Sequence, residues 1–347
     1  MNKSSIIYVA GHRGMVGSAI IRELQAQKYT NIVTRTHAEL DLTRQAEVEA
    51  FFDNVKSEYV FLAAAKVGGI LANNTYKADF IYENMMIAAN VIHAAYKHGV
   101  RKLINLGSSC IYPKFAPQPM NEDCLLTNTL EPTNEPYAIA KISAIKLCRY
   151  YNEQYNTNFI SAMPTNLYGL NDNYNLETSH VLPALIRKFH LAKLLQKDDY
   201  DLIKADFKKY GISHQEDIEM LTKDSIVRIL DKYGIHDQYV TLWGSGSPYR
   251  EFLHADELAD ACIFLMQKYD AKDIGELVNI GTGNDIQIKA LALMVKEIVG
   301  YAGELRWDIS KPDGTPKKLL SVEKLHELGW KAKIELRDGI KLIYENY

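Results

Sequence analysis

The chain has 347 residues, 47% of them hydrophobic, and a formal net charge of -3, which allows two domains or one large α/β unit with an appended lobe. That charge leaves no broad basic footprint for nucleic acid, and no stretch approaches the roughly 18 apolar residues of a membrane span. Cys110, Cys124, Cys148 and Cys262 are scattered without a CxxC pair or a metal-like Cys/His spacing, so neither a disulfide scaffold nor a metal site is expected and a reducing cytoplasm is the simplest compartment.

The apolar run before Gly11 is too short for a signal-peptide core. Ile6 to Ala10 reads as a buried strand, and Gly11-His12-Arg13-Gly14-Met15-Val16-Gly17 turns from it into a helix over Ser18 to Lys28. The order repeats: strand Ile32 to Thr34, helix Gln45 to Val55, strand Tyr59 to Ala64, a long helix near Asp79 to His98, and strand Lys102 to Leu106. This alternation predicts a Rossmann-type, doubly wound parallel sheet. Glu131-Pro132-Thr133-Asn134-Glu135-Pro136 suits a helix start, and on a helix running to about Tyr155 the residues Tyr137 and Lys141 share a face.

After a strand at Ile160 to Met163 the chain turns loop-like through Asn171-Asp172-Asn173-Tyr174-Asn175, where a second lobe is expected to begin. Residues 193 to 236 are rich in Lys and Asp and contain an echo, Asp201 to Ile212 over Asp224 to Ile235, each copy ending Lys-Tyr-Gly-Ile. Each reads as a short amphipathic helix stopped by glycine. Then follow strand Tyr239 to Trp243, a turn over Gly244 to Pro248, helix Ala255 to Gln267, strand Leu277 to Ile280, helix Ile288 to Val299 and a lysine-bearing tail. The expected division is a dinucleotide-binding domain from 1-170 and about 250-285, and a smaller α/β lobe from about 171-249 and 286-347 that includes a helical insertion at about 193-236.

Gly11, Gly14 and Gly17 follow a strand and open a helix, a setting in which glycines bring backbone amides within reach of a pyrophosphate. A tight turn without a ligand is the plain alternative. Where an NAD-preferring fold places an acid on the ribose diol, this chain has Arg35, flanked by Thr34, Thr36 and His37. With Arg13 in the glycine loop, two guanidinium groups favour a 2′-phosphate and hence NADP(H), against the alternative that Arg35 only solvates a strand end. Asp41-Leu42 stands where it can cover the adenine.

Tyr137-x-x-x-Lys141 pairs a phenol with an ammonium that can lower its pKa, while Ser108 can position a carbonyl oxygen, a set suited to carbonyl reduction. Taken alone, a surface tyrosine above a salt-bridging lysine is the commoner reading, but the upstream cofactor loop and the serine-rich strand end give it context. Cys110, two residues past Ser108, offers a thiol base, although buried cysteines are ordinary core residues. His180 is an isolated histidine of the kind that is most often structural.

At Ser108-Ser109-Cys110-Ile111-Tyr112-Pro113-Lys114 and Leu130 to Tyr137 the chain resembles the GDP-L-fucose synthase family, epimerase-reductases of the extended short-chain dehydrogenase/reductase superfamily. The resemblance also covers Ala10 to Gly17, Ala63 to Ile70, Met163 to Gly169, Trp243 to Gly246, Arg250 to His254 and Ser310 to Thr315, and lapses only over about 193 to 236. It implies the substrate GDP-4-keto-6-deoxy-D-mannose and two reactions in one site. Cys110 and His180 would move protons at C3 and C5 as base and acid, with Ser108 and Tyr137 donating to the enolate oxygen; NADPH would then reduce C4 while Tyr137 protonates the oxygen and Lys141 tunes it. It further implies that Gly11, Arg13, Gly14, Met15, Val16, Gly17, Arg35, His37, Asp41, Leu42, Ala63, Ala64, Lys141, Asn166 and His180 border the cofactor. Lys188, Trp243, Arg250, Asp313 and Lys318 would hold the GDP-sugar, although core packing is the bland reading of Trp243 and a solvated charge that of Lys318. A homodimer is implied as well.

Two departures stand out: His37 occupies a position where relatives often carry arginine, and the extra segment falls between Lys188 and Trp243. That segment is expected either to border the sugar-nucleotide pocket and admit a longer substrate, such as a GDP-4-keto-6-deoxy-heptose used in capsule assembly, or to be an exposed excursion. The rival readings are a C4 reductase of such a heptose, with or without epimerase activity, and a non-catalytic NADP-sensing protein.

Overall fold

In the computed structural model, which describes residues 1–213 and 217–347 and leaves aside the side chains of Ile70 and Leu71, the first strand, β1 (Ile7–Ala10), is buried at every position. Ile7 and Val9 belong to one apolar cluster with Ile20 and Leu24, while Tyr8 and Ala10 belong to another with Phe52 and Val91. A strand that buries both alternating faces needs helices on both sides of its sheet. The chain supplies them in turn: α1 (Met15–Ala26), β2 (Ile32–Val33), α2 (Gln45–Val55), β3 (Tyr59–Leu62), the short α3 (Ile70–Thr75), α4 (Lys77–Lys97), β4 (Lys102–Leu106), α5 (Glu135–Tyr155), β5 (Phe159–Pro164) and β6 (Asn166–Tyr168). Helix α1 starts three residues before the expected Ser18, because Gly14 is already its N-cap and the glycine loop passes directly into the first turn.

Next come α6 (Val181–Gln196), α7 (Tyr200–Tyr210), α8 (Lys223–Lys232), β7 (Tyr239–Trp243), β8 (Tyr249–His254), α9 (Ala255–Lys268), α10 (Ala271–Ile274) and β9 (Val278–Ile280). The last elements are β10 (Asp285–Gln287), α11 (Ile288–Val299), β11 (Glu304–Asp308), β12 (Lys317–Lys318), α12 (Glu323–Glu327) and α13 (Leu336–Glu345). They divide into two units, one from 1–171, 251–284 and 319–334, the other from 172–250, 285–318 and 335–347.

The first unit holds a six-stranded sheet of order β2-β1-β3-β4-β5-β9, parallel at every pairing. The strand order reverses between β1 and β3, the point where open α/β sheets place their ligands. Residues 319–334, expected in the smaller lobe, belong instead to this unit. Leu325 and Trp330 join the apolar cluster of Val278 and Leu258, Trp330 donates to Asp260 at 2.7 Å, and the Leu320 N–H donates to Glu251 Oε2 at 3.0 Å.

In the second unit β7 and β11 pair in parallel, and Lys317 and Lys318 pair with Tyr249 and Arg250. Both halves of the echo are helices. Gly211 caps α7 with φ of 74° and Gly234 follows α8 with φ of 69°, left-handed positions that glycine occupies without strain. Residues 214 to 216, inside the expected insertion, lie outside the described residues. Among the described residues no helix is long and apolar enough to cross a membrane.

Candidate active site

A β-carbon on Gly11, whose φ is 86°, would fall 2.7 Å from the Ala64 nitrogen, and one on Gly17 would fall 2.1 Å from the Gly11 carbonyl oxygen. The glycine loop therefore folds tightly onto the end of β3 and onto itself. At Gly14 a β-carbon would meet the Gly11 carbonyl oxygen at 3.5 Å, an ordinary contact, so the crowding is confined to Gly11 and Gly17. Gly14 caps α1 without a side-chain hydrogen bond, and the first turn carries no acid. Its amides thus keep their partial positive charge, which fits the pyrophosphate of a dinucleotide.

Arg13, inside the glycine loop, and Arg35, just past β2, are both exposed. Hydrogen bonds from Thr36, and then the charges of Arg35 and Arg13, hold the Glu39 carboxyl below its ordinary range. Arg35 donates to the Thr34 carbonyl at 2.7 Å and lies 5.4 Å from the Phe51 ring centre. Two accessible guanidinium groups fit a 2′-phosphate. His37 has its Nδ1 3.9 Å from Asp41; Asp41 itself accepts from the Thr43 N–H and hydroxyl at 2.9 and 2.7 Å. Leu42 is buried, and its carbonyl accepts from Asn90 at 2.9 Å. Ala63 N–H donates to the Ala10 carbonyl, and Asn166 donates to the Glu251 carbonyl at 2.8 Å.

Beyond β4, Ser108 caps a turn of 3₁₀ helix over Ser109–Ile111, its Oγ accepting from the Cys110 N–H at 3.4 Å. This bond leaves the hydroxyl proton available to a substrate oxygen. Lys141, buried on α5, donates from Nζ to the Leu106 carbonyl at 2.8 Å, at the end of the same strand, and its Nζ lies 5.7 Å from the Tyr137 ring centre. Desolvation pushes Lys141 down to about 8, opposed by Cys110. Desolvation, and then Cys110, push the Tyr137 phenol well above its ordinary value. Burial therefore acts against the expected tuning of the phenol toward neutrality. A phenol so placed stays protonated, as a proton donor must. Phe80 meets the Tyr137 ring edge-on, centroids 6.3 Å apart. Ser108, Cys110, Tyr137 and Lys141 thus form one group in the first unit.

His180, Lys188, Trp243, Arg250, Asp313 and Lys318 belong to the second unit. His180 is the N-cap of α6; its ring reaches solvent, yet desolvation, and then the charge of Lys318, hold its pKa below the ordinary value. Lys318 pairs with Arg250 across parallel strands, so these three converge. Burial pushes Lys188 down to about 8, and its Nζ donates to the carbonyls of Tyr233 at 2.6 Å and Thr241 at 3.3 Å, which leaves one N–H for a phosphate. Trp243 is 68% exposed, against its core-packing reading. Asp313 accepts from the Ser245 N–H and hydroxyl at 2.9 and 2.7 Å and so fixes the turn after Trp243. A cavity of about 330 Å³ is lined by Tyr233, His236, Tyr239, Trp243 and Lys311 among others. Part of the extra segment therefore borders the same hollow as Trp243.

Two buried supports escaped the reading of the sequence. Glu251 accepts from the N–H groups of Thr282, Gly283 and Leu320 at 2.6, 2.8 and 3.0 Å, tying the turn after β9 to residue 320. Tyr112, two residues past Cys110, donates to Asn279 at 2.5 Å, and Asn279 donates in turn to the carbonyls of Met120 and Ser321. The available signal was an acid and an amide standing inside apolar strands.

The family model described as NAD dependent epimerase/dehydratase family matches residues 7–203 and 206–281. GDP-L-fucose synthase 1 of Arabidopsis thaliana is 54% identical over all of this chain and 94% of its own length. The GDP-L-fucose synthase of Escherichia coli (strain K12) is 47% identical over 98% of this chain and 95% of its own. Among solved structures, a GDP-mannoheptose C4 reductase from Campylobacter jejuni with NADP bound is 44% identical, with a TM-score of 0.88 and coverage of 100% of this chain and 99% of that one. The chain belongs to the NAD dependent epimerase/dehydratase family and, inside it, to the GDP-L-fucose synthase family.

Proposed function

We infer that the protein is an NADPH-dependent epimerase-reductase of nucleotide-sugar metabolism that converts GDP-4-keto-6-deoxy-D-mannose into GDP-L-fucose. The observation that carries this reading is the grouping of Ser108, Cys110, Tyr137 and Lys141 at one strand end, in a chain about half identical to GDP-L-fucose synthases along its whole length. The hydrogens at C3 and C5 are acidic because they flank the C4 ketone. Cys110, as its thiolate, takes such a proton and becomes the thiol, the electron pair moves onto the C4 oxygen, and Ser108 and Tyr137 donate hydrogen bonds to that oxygen. His180 returns a proton to the carbon. Bound NADPH supplies a hydride to C4. Tyr137 gives its proton to the C4 oxygen, and Lys141 holds positive charge beside the phenol as it ionises. Lys188, Arg250 and Lys318 offer cations to the diphosphate, and Trp243 offers a flat face.

A second reading, C4 reduction of a GDP-4-keto-6-deoxy-heptose with or without epimerisation, is favoured by the full-length likeness to the GDP-mannoheptose reductase. A sensor without turnover has no use for a half-buried, protonated phenol beside Lys141. We place the enzyme in the cytoplasm as a homodimer joined through α4 and α5; the exposed Tyr82, Met85, Ile139 and Tyr150 on these helices support that face. The deciding experiment incubates the protein with NADPH in heavy water and offers the hexose and heptose ketones in parallel, with the products read by NMR. Deuterium at C3 and C5 of a fucosyl product is expected. Reduction without label would reject the epimerase half, and no oxidation of NADPH with either ketone would reject the enzyme.

A further inference from the structure

Arg187 is fully buried on α6, seven residues after His180. Its Nε donates to Asp206 on α7 at 2.9 Å, Nη1 to the Tyr174 carbonyl at 3.0 Å and Nη2 to the Gly211 carbonyl at 2.9 Å. The other Asp206 oxygen accepts from the Tyr347 hydroxyl at 2.6 Å. The Tyr174 ring lies 4.9 Å from the rings of both Tyr210 and Tyr347. At the far end of the same loop, Tyr233, just past α8, donates to Glu177 at 3.0 Å, while its carbonyl accepts from Lys188.

Tyr174 and Glu177 are thus held by Arg187 of α6, by Tyr210 at the end of α7, by Tyr347 and by Tyr233 just past α8, and His180 follows the loop as the N-cap of α6. We propose that α7 and α8 form a positioning element for His180: Arg187, Asp206, Tyr347 and Tyr233 hold the 174–179 loop so that the imidazole meets the substrate carbon in one orientation. A buried guanidinium bonded through all three of its nitrogens resists a second loop arrangement, which would leave buried polar groups unpaired. The inference rests on the proton-returning role of His180 proposed above, and it makes the extra segment part of the epimerisation machinery.

Tyr347→Phe and Tyr233→Phe each remove one hydroxyl, with thermal unfolding as the check on folding. Each variant is assayed for deuterium exchange at C3 and C5 and, separately, for reduction of a ketone already epimerised. Exchange kcat should fall by about tenfold in each, and in Tyr347→Phe the KM and the reduction rate should stay within about twofold of the native enzyme. Exchange that stays at the native rate in both variants, or exchange and reduction that fall in parallel in Tyr347→Phe, would overturn the proposal. His180→Gln run alongside separates the two claims. Exchange that survives in His180→Gln removes the role of His180 and the positioning with it; exchange lost there but intact in both tyrosine variants removes the positioning alone.

Discussion

In the proposed mechanism, proton traffic at the ketone is divided among side chains whose environments differ. Tyr137→Phe deletes the donor to the C4 oxygen and should lower reduction kcat by about 10²- to 10⁴-fold. Cys110→Ser should slow deuterium exchange at C3 and C5 while largely sparing reduction of an epimerised ketone, as separate exchange and NADPH-oxidation assays would read. Lys141 is held down to about 8 by desolvation, so it carries its charge below that pH and loses it above. Reduction kcat should therefore fall as pH rises through about 8, and Lys141→Arg should move that inflection out of reach; a flat profile from pH 7 to 9 in the native enzyme would remove the lysine from this role. Residue types and spacing made Ser108, Cys110, Tyr137 and Lys141 legible in the sequence. The state of the phenol was not, because it depends on how deeply α5 and Phe80 bury it, and no local pattern reports burial by a distant helix.

Among the elements, the glycine loop was readable because strand, turn and helix signals are all local. Gly17→Ala sets a β-carbon 2.1 Å from a backbone oxygen and should cost about 1–3 kcal/mol and weaken NADPH binding, as thermal unfolding and a fluorescence titration would measure. Helices α7 and α8 were legible from their apolar spacing and terminal glycines, yet their purpose was not, since Arg187 and Asp206 meet only in the folded unit. Asp206→Ala leaves that guanidinium buried without its counterion and should destabilise the protein by about 3–5 kcal/mol, read as a drop in the denaturation midpoint. By the same logic, deleting 196 to 234 removes partners of a buried charge and should yield poorly folded protein. Strands β8 and β11 went unread because charged residues such as Arg250 and Glu251 interrupt the apolar run, and Glu251 is tolerated there only because three backbone amides pair with it.

At the scale of the whole molecule, the parallel sheet follows from strand and helix alternation, and its reversal between β1 and β3 puts the cofactor cradle beside the Ser108 turn at the carboxyl ends of the strands. Choice of cofactor is the property most open to test here. Arg35→Ala should cost about 1.5–3 kcal/mol of NADPH binding while leaving NADH nearly untouched, visible as a collapse in the ratio of the two kcat/KM values. Sugar preference belongs to this scale too, since the hollow assembled from β7 and the end of α8 holds Trp243, proposed above to offer the sugar nucleotide a flat face.

The interleaving of the two units along the chain has a consequence for biosynthesis. The first unit is made of 1–171, 251–284 and 319–334, so strand β9 and the amides that satisfy Glu251 arrive only late in translation. A ribosome that has released the first half of the protein holds a sheet missing an edge strand and the whole of α9, with apolar faces bare to chaperones. Completion of the first unit must then wait for residue 334.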